Sequence, residues 1–249
     1  MRKLGILVAL PVVGALLNVA PAAAQTQSPQ AFCAAGLKVD QAFAKIGDKG
    51  PTKKQAQELD RALGQAESTA PPEIAPDVQS IAGIIRSAAQ SNQDPFENPT
   101  FEQNAAAIDQ YRYNSCGYPQ IQVTGIEYEF QGLPKTLPTG PVAFQFTDNG
   151  AEFHELEVVR LKSKDSLKKI VGLSEKEQRK KVEEVAGTFA SQGQTAYAFV
   201  DFSKPGRYGV VCHLPVGATS EQALEQAEKK HAKSHAQKGM YATITVESA

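Results

Sequence analysis

The sequence has 249 residues, of which 41% are hydrophobic and 21% charged, and its formal net charge is −1. That composition is globular and sized for one large domain or two small ones. The balanced charge excludes a general nucleic-acid binder, which needs a basic face. Beyond Leu17 no apolar run approaches the roughly 18 residues of a spanning helix, so no transmembrane segment is expected in the mature chain.

The N-terminal residues read as an export signal. Arg2 and Lys3 give a positive start, Leu4 to Leu17 a short apolar core, and Ala22-Ala23-Ala24 a small-residue cleavage site. The expectation is a signal peptide over residues 1–24 and a secreted product, periplasmic or extracellular, beginning near Gln25.

Helical periodicity follows. Phe32, Val39, Phe43 and Ile46 recur at helical spacing and stop at Gly47 and Gly50-Pro51. Thr52 opens a second segment with Leu59, Leu63 and Ala66, which ends before Pro71-Pro72. Ile74, Val78, Ile81, Ile85 and Ala88 make a third stripe, and Phe101, Ala105, Ile108 and Tyr111 a fourth. Four helices with short connections predict an up-down-up-down four-helix bundle, residues 25–118. In that topology the start of the first helix and the end of the fourth share one pole. Cys33 and Cys116 can then form a disulfide, which persists outside the cytoplasm. Cys212 is left over.

From about Pro119 the pattern changes to alternation. Ile126, Tyr128 and Phe130 alternate with polar residues, as do Val142, Phe144 and Phe146, with Gly125 read as a bulge. Further strands are predicted at Glu152–Lys162, Thr195–Phe202, Gly206–Leu214 and Gly239–Glu247. A lysine-rich helix is expected over Ser166–Val185, capped by Ser174 and Glu177, and another over Thr219–Lys238. Short strands at regular spacing predict a β-sandwich over residues 119–249.

Strand parity then places His154 in phase with Leu156 and Val158, Cys212 with Tyr208 and Val210, and Met240 with Ala242, Ile244 and Val246. His235 precedes Met240 by five positions. A thiolate, two imidazoles and a thioether form the soft donor set of blue-copper sites. His231 and His235, four apart on a predicted helix, could instead share a face as a surface metal pair. His213, of opposite parity to Cys212, is expected to face solvent or pack.

Three segments resemble the cupredoxins, the plastocyanin and azurin group. Asp148-Asn149-Gly150-Ala151-Glu152-Phe153-His154 is similar to the segment carrying their first histidine ligand. Pro205-Gly206-Arg207-Tyr208-Gly209-Val210-Val211-Cys212 resembles the strand ending in the cysteine ligand, and His235 to Met240 has the spacing of the C-terminal ligand loop. The resemblance covers roughly Gln120 to Glu247 and implies a Greek-key β-sandwich with copper at one pole. It implies His154, Cys212 and His235 as equatorial ligands and Met240 as the axial one. Two departures stand out: twenty-two residues separate Cys212 from His235, and Glu155 follows His154 where Asn is usual.

The motifs of hydrolases, phosphate loops, zinc proteases and multicopper oxidases are absent, so no enzymatic activity is expected. The sequence thus points to an exported copper protein that carries single electrons to an unidentified redox partner protein. A copper carrier, or a metal-free envelope module, are the alternatives it leaves open.

Overall fold

The computed structural model describes residues 28–46, 50–91 and 93–248. The expected signal peptide lies outside the described residues. Among the described residues four helices come first: α1 (Pro29–Phe43), α2 (Lys53–Thr69), α3 (Ala75–Ser91) and α4 (Phe101–Ser115). Pro29 stands in the first turn of α1, where its missing N–H costs nothing. The hydroxyl of Thr52 accepts from the Gln55 N–H at 3.3 Å while the Gln55 side chain returns to the Thr52 N–H, a capping box that starts α2. Burial follows the predicted stripes in α2 and α3, whereas the α4 stripe is only half-buried and the buried residues of α4 are Arg112 and Tyr113. Phe32 and Ala35 of α1 pack with Ala66, Ile74 and Val78, and Ala42 packs with Leu59, Leu63, Ala82 and Ile85. The Phe32 ring meets Tyr111 of α4 edge-on at 6.0 Å. Cys33 and Cys116 form the expected disulfide, with Cα atoms 5.6 Å apart.

The helices are joined to the strands by buried contacts. Arg112 is 4% exposed; its guanidinium pairs with Asp40 and stands 3.8 Å above the ring of Phe199. Gly36 is required opposite it, because a Cβ there would lie 2.9 Å from Arg112 Nε. The Tyr113 ring meets that of Tyr197 at 4.9 Å, tilted by 44°.

Nine strands follow: β1 (Gln120–Ile126), β2 (Glu129–Gln131), β3 (Thr136–Pro138), β4 (Gly140–Asp148), β5 (His154–Leu161), β6 (Val182–Ala190), β7 (Thr195–Phe202), β8 (Gly206–Val211) and β9 (Tyr241–Glu247). Between them lie α5 (Leu167–Val171), α6 (Glu175–Lys181), α7 (Glu221–Lys229) and α8 (His235–Lys238). One sheet has the order β2-β1-β4-β7, the other β3-β9-β8-β5-β6, and each contains one parallel pair, β1 with β4 and β3 with β9. The two sheets face each other across a single core. Val142, Phe144, Phe146, Val200 and Phe202 come from one side, and Leu156, Val158, Tyr208, Val210, Ile244 and Val246 from the other. The opposite face of β5 and β8 is covered by α5, where Leu167, Ile170 and Val171 meet Val159, Val211 and Ala236.

The observed elements differ from the expected ones in four places, one being the helix expected over Thr219–Lys238, which is α7 and α8 with a break at residues 230–234. The single helix expected over Ser166–Val185 is α5, α6 and the start of β6. Strand β6 pairs with β5 through a register break between Val158 and Val159, which destroys the alternation that would have marked it. Gly125 is no bulge: β1 runs through it, and the chain turns afterwards into β2. Glycine is needed there because a Cβ would stand 2.9 Å from Phe146 Cζ and 3.3 Å from Met240 Cε. The short strand β3 has no counterpart in the alternating pattern of the sequence.

Candidate metal centre

His154 is the first residue of β5, Cys212 follows β8, His235 opens α8, and Met240 lies between α8 and β9. All four are fully buried. Nδ1 of His154 and Nδ1 of His235 are 3.0 Å apart, and Sγ of Cys212 lies 3.3 Å from the latter and 4.0 Å from the former. The centre of the circle through these three atoms is about 2.0 Å from each. Imidazole nitrogens bind a zinc-sized ion at about 2.0–2.1 Å and thiolate sulfur at about 2.3 Å. The triangle therefore fits a single transition-metal ion with little adjustment, and two imidazoles with one thiolate are the soft set that copper favours.

The backbone explains how His235, twenty-three residues past Cys212, returns to it. The N–H of His235 donates to Leu214 C=O at 2.9 Å, and that of Ala236 to Cys212 C=O at 2.7 Å. Val216 N–H reaches Lys233 C=O at 2.9 Å, and Pro215 bridges Ser234. The insertion is pinched shut at its base, so its length does not loosen His235. Ser234 caps α8 with Gln237 and fixes where His235 begins. Met240 is tied to the same knot: its N–H donates to His235 C=O at 3.0 Å, and its C=O accepts from Cys212 N–H at 3.2 Å.

The electrostatics suit a bound cation. Burial, with Glu155 nearby, pushes the Cys212 thiol up, so a metal ion is what would draw its proton off. The Glu155 N–H points at Sγ from 3.5 Å. Burial lowers the His154 pKa and favours the neutral imidazole, the ligating form. Nε2 of His154 has no hydrogen-bond partner; Glu127 Oε1 stands 3.4 Å away and Asp148 Oδ1 3.9 Å away. Nε2 of His235 meets Glu152 Oε2 at 2.9 Å.

The other histidines lie elsewhere. His213 points away, with its Nε2 3.5 Å from Glu157. His231 is exposed at φ 52°, between α7 and α8, so it does not share a helix with His235. The sequence pattern does not mark Glu127, Asp148 or Glu152 as neighbours of an imidazole. Asp148 and Glu152 lie in the segment that carries the resemblance, but no periodicity ties them to an imidazole.

No family model matches the sequence, and no curated protein matches it. Among solved structures, the C-terminal half is similar to sodium-dithionite-reduced auracyanin from Roseiflexus castenholzii, at 18% identity and a TM-score of 0.33, covering 51% of this chain and 96% of that one. It is likewise similar to auracyanin A, a "blue" copper protein of Chloroflexus aurantiacus, at 15% identity and a TM-score of 0.31, covering 53% and 100%. A multicopper oxidase from Pediococcus acidilactici matches at 12% identity and a TM-score of 0.31, covering 53% of this chain and 27% of that one.

Proposed function

We propose that the protein is an exported cupredoxin-type protein in which His154, Cys212 and His235 hold one copper ion, with Met240 as a fourth and weaker donor, and that it passes single electrons. The observation that carries this reading is the convergence of two imidazole nitrogens and one sulfur, all fully buried, on one point. A copper ion held there would supply one-electron chemistry by alternating between its cuprous and cupric states. The residues do the rest. The β-sandwich and the closed base of the insertion fix the donors, so the same geometry serves both oxidation states. Burial excludes water from the donors, and Cys212, at the end of β8, offers a covalent path from the centre into the sheet.

In this reading the helical residues 25–118 and the sandwich 119–249 are separate domains, the protein is not itself an enzyme, and a redox partner protein exchanges electrons with it. The disulfide agrees with an oxidising compartment, and among the described residues no helix is long and apolar enough to cross a membrane. Purified protein given Cu(II) should develop an intense visible band from thiolate charge transfer. Cys212→Ser should abolish it and His213→Ala should not; equal loss in both would count against the assignment. Reversible voltammetry separates an electron carrier from a protein that only stores copper.

A further inference from the structure

The two imidazoles are not held alike on their outer edges. His154 Nε2 has no hydrogen-bond partner, and the oxygen nearest to it, Glu127 Oε1, already accepts the N–H of Ala151 at 2.6 Å and of Glu152 at 2.8 Å. His235 Nε2 has a carboxylate of its own, Glu152 Oε2, at 2.9 Å. That carboxylate also accepts the Gly217 N–H from the base of the insertion and, through Oε1, the Tyr128 hydroxyl at 3.3 Å. The Tyr128 ring lies 5.0 Å from the His235 ring. Glu152 therefore touches the insertion, the β1–β2 turn and the imidazole at once. Its own N–H fastens the carboxylate that faces the other imidazole.

An imidazole has one N–H and one lone pair in its neutral form, and what binds the first decides where the second points. An acceptor on Nε2 keeps the proton there and leaves the Nδ1 lone pair facing Cys212 and His154. Carboxylates behind metal-bound imidazoles do this and also make the ring a stronger donor. We propose that Glu152 is the positioning residue of the centre: its carboxylate holds the Nε2 proton of His235, aims Nδ1 at the metal, and locks the insertion to the site. The inference rests on the copper reading for its functional meaning, but the hold on His235 exists in the metal-free protein and is measured there.

The test uses the full-length protein and its Glu152→Gln and Glu152→Ala variants. Long-range ¹H–¹⁵N correlation spectra of the metal-free forms report which nitrogen of His235 carries the proton. Wild type should show it on Nε2 alone. Glu152→Gln, whose carbonyl still accepts, should keep it there. Glu152→Ala should spread it over both nitrogens and weaken Cu(II) binding roughly 10- to 100-fold. With copper bound, Glu152→Gln should have a higher reduction potential than wild type, because losing the charge weakens the donor that favours the cupric state. An unchanged single tautomer in Glu152→Ala, or an unchanged potential in Glu152→Gln, overturns the proposal. Failure of wild type to take up copper would instead end the copper reading, and the tautomer measurement would still decide what Glu152 does.

Discussion

The space behind the histidines is set by single residues. Gly150 stands where a Cβ would collide with the Glu127 carboxylate and lie 2.5 Å from His154 Nε2. Real Cβ atoms do not approach so closely, so either the imidazole or the carboxylate must move. The carboxylate is the less free of the two. Glu127 is anchored by the Ala151 and Glu152 N–H groups, which hold its carboxyl below the usual range although burial pushes the other way. The Gly150→Ala variant should therefore fold but displace His154, with copper affinity falling about tenfold or more by titration against a chromophoric chelator. Its thermal midpoint should change far less than its affinity. The reverse pattern would mean that Gly150 serves the sandwich rather than the centre.

At the level of elements, the long connection between Cys212 and His235 matters most. Its base is closed by the pairings of Leu214 with His235, Cys212 with Ala236 and Val216 with Lys233, while α7 lies beyond them. Replacing residues 219–232 by a short Gly-Ser linker should leave the visible spectrum of the copper protein unchanged, since shortening a loop already closed alters its entropy by well under 1 kcal/mol per halving. A shifted or bleached band would show that the insertion shapes the site. Much of this architecture is legible in the sequence, because burial imposes a period. The apolar stripes mark α1 to α4, and strand parity puts His154, Cys212 and Met240 in the core. What stayed hidden has no period to betray it. Strand β6 is masked by the register break at Val158 and Val159. Glu127 and Glu152 act from a turn and a loop, where side-chain direction follows the backbone path and not an alternation.

In the whole molecule, the helical residues and the sandwich meet through Arg112, Tyr113 and Phe199. The disulfide closes a loop of 83 residues' separation around α1 to α4. Its loss removes a constraint on the unfolded chain worth about 4–5 kcal/mol by loop entropy, and often less in practice. Cys33→Ser with Cys116→Ser should therefore lower the midpoint of thermal unfolding clearly, while the copper band of the folded double variant stays as in wild type. A changed band would mean that the helices help build the centre. The convergence of His154, Cys212 and His235 on one ion is tested most directly by copper K-edge X-ray absorption of the one-to-one complex. The account predicts one sulfur and two imidazole nitrogens as the near neighbours of copper, with the sulfur missing in Cys212→Ser. A wild-type spectrum without sulfur, or one that the Cys212 substitution leaves unaltered, would contradict it.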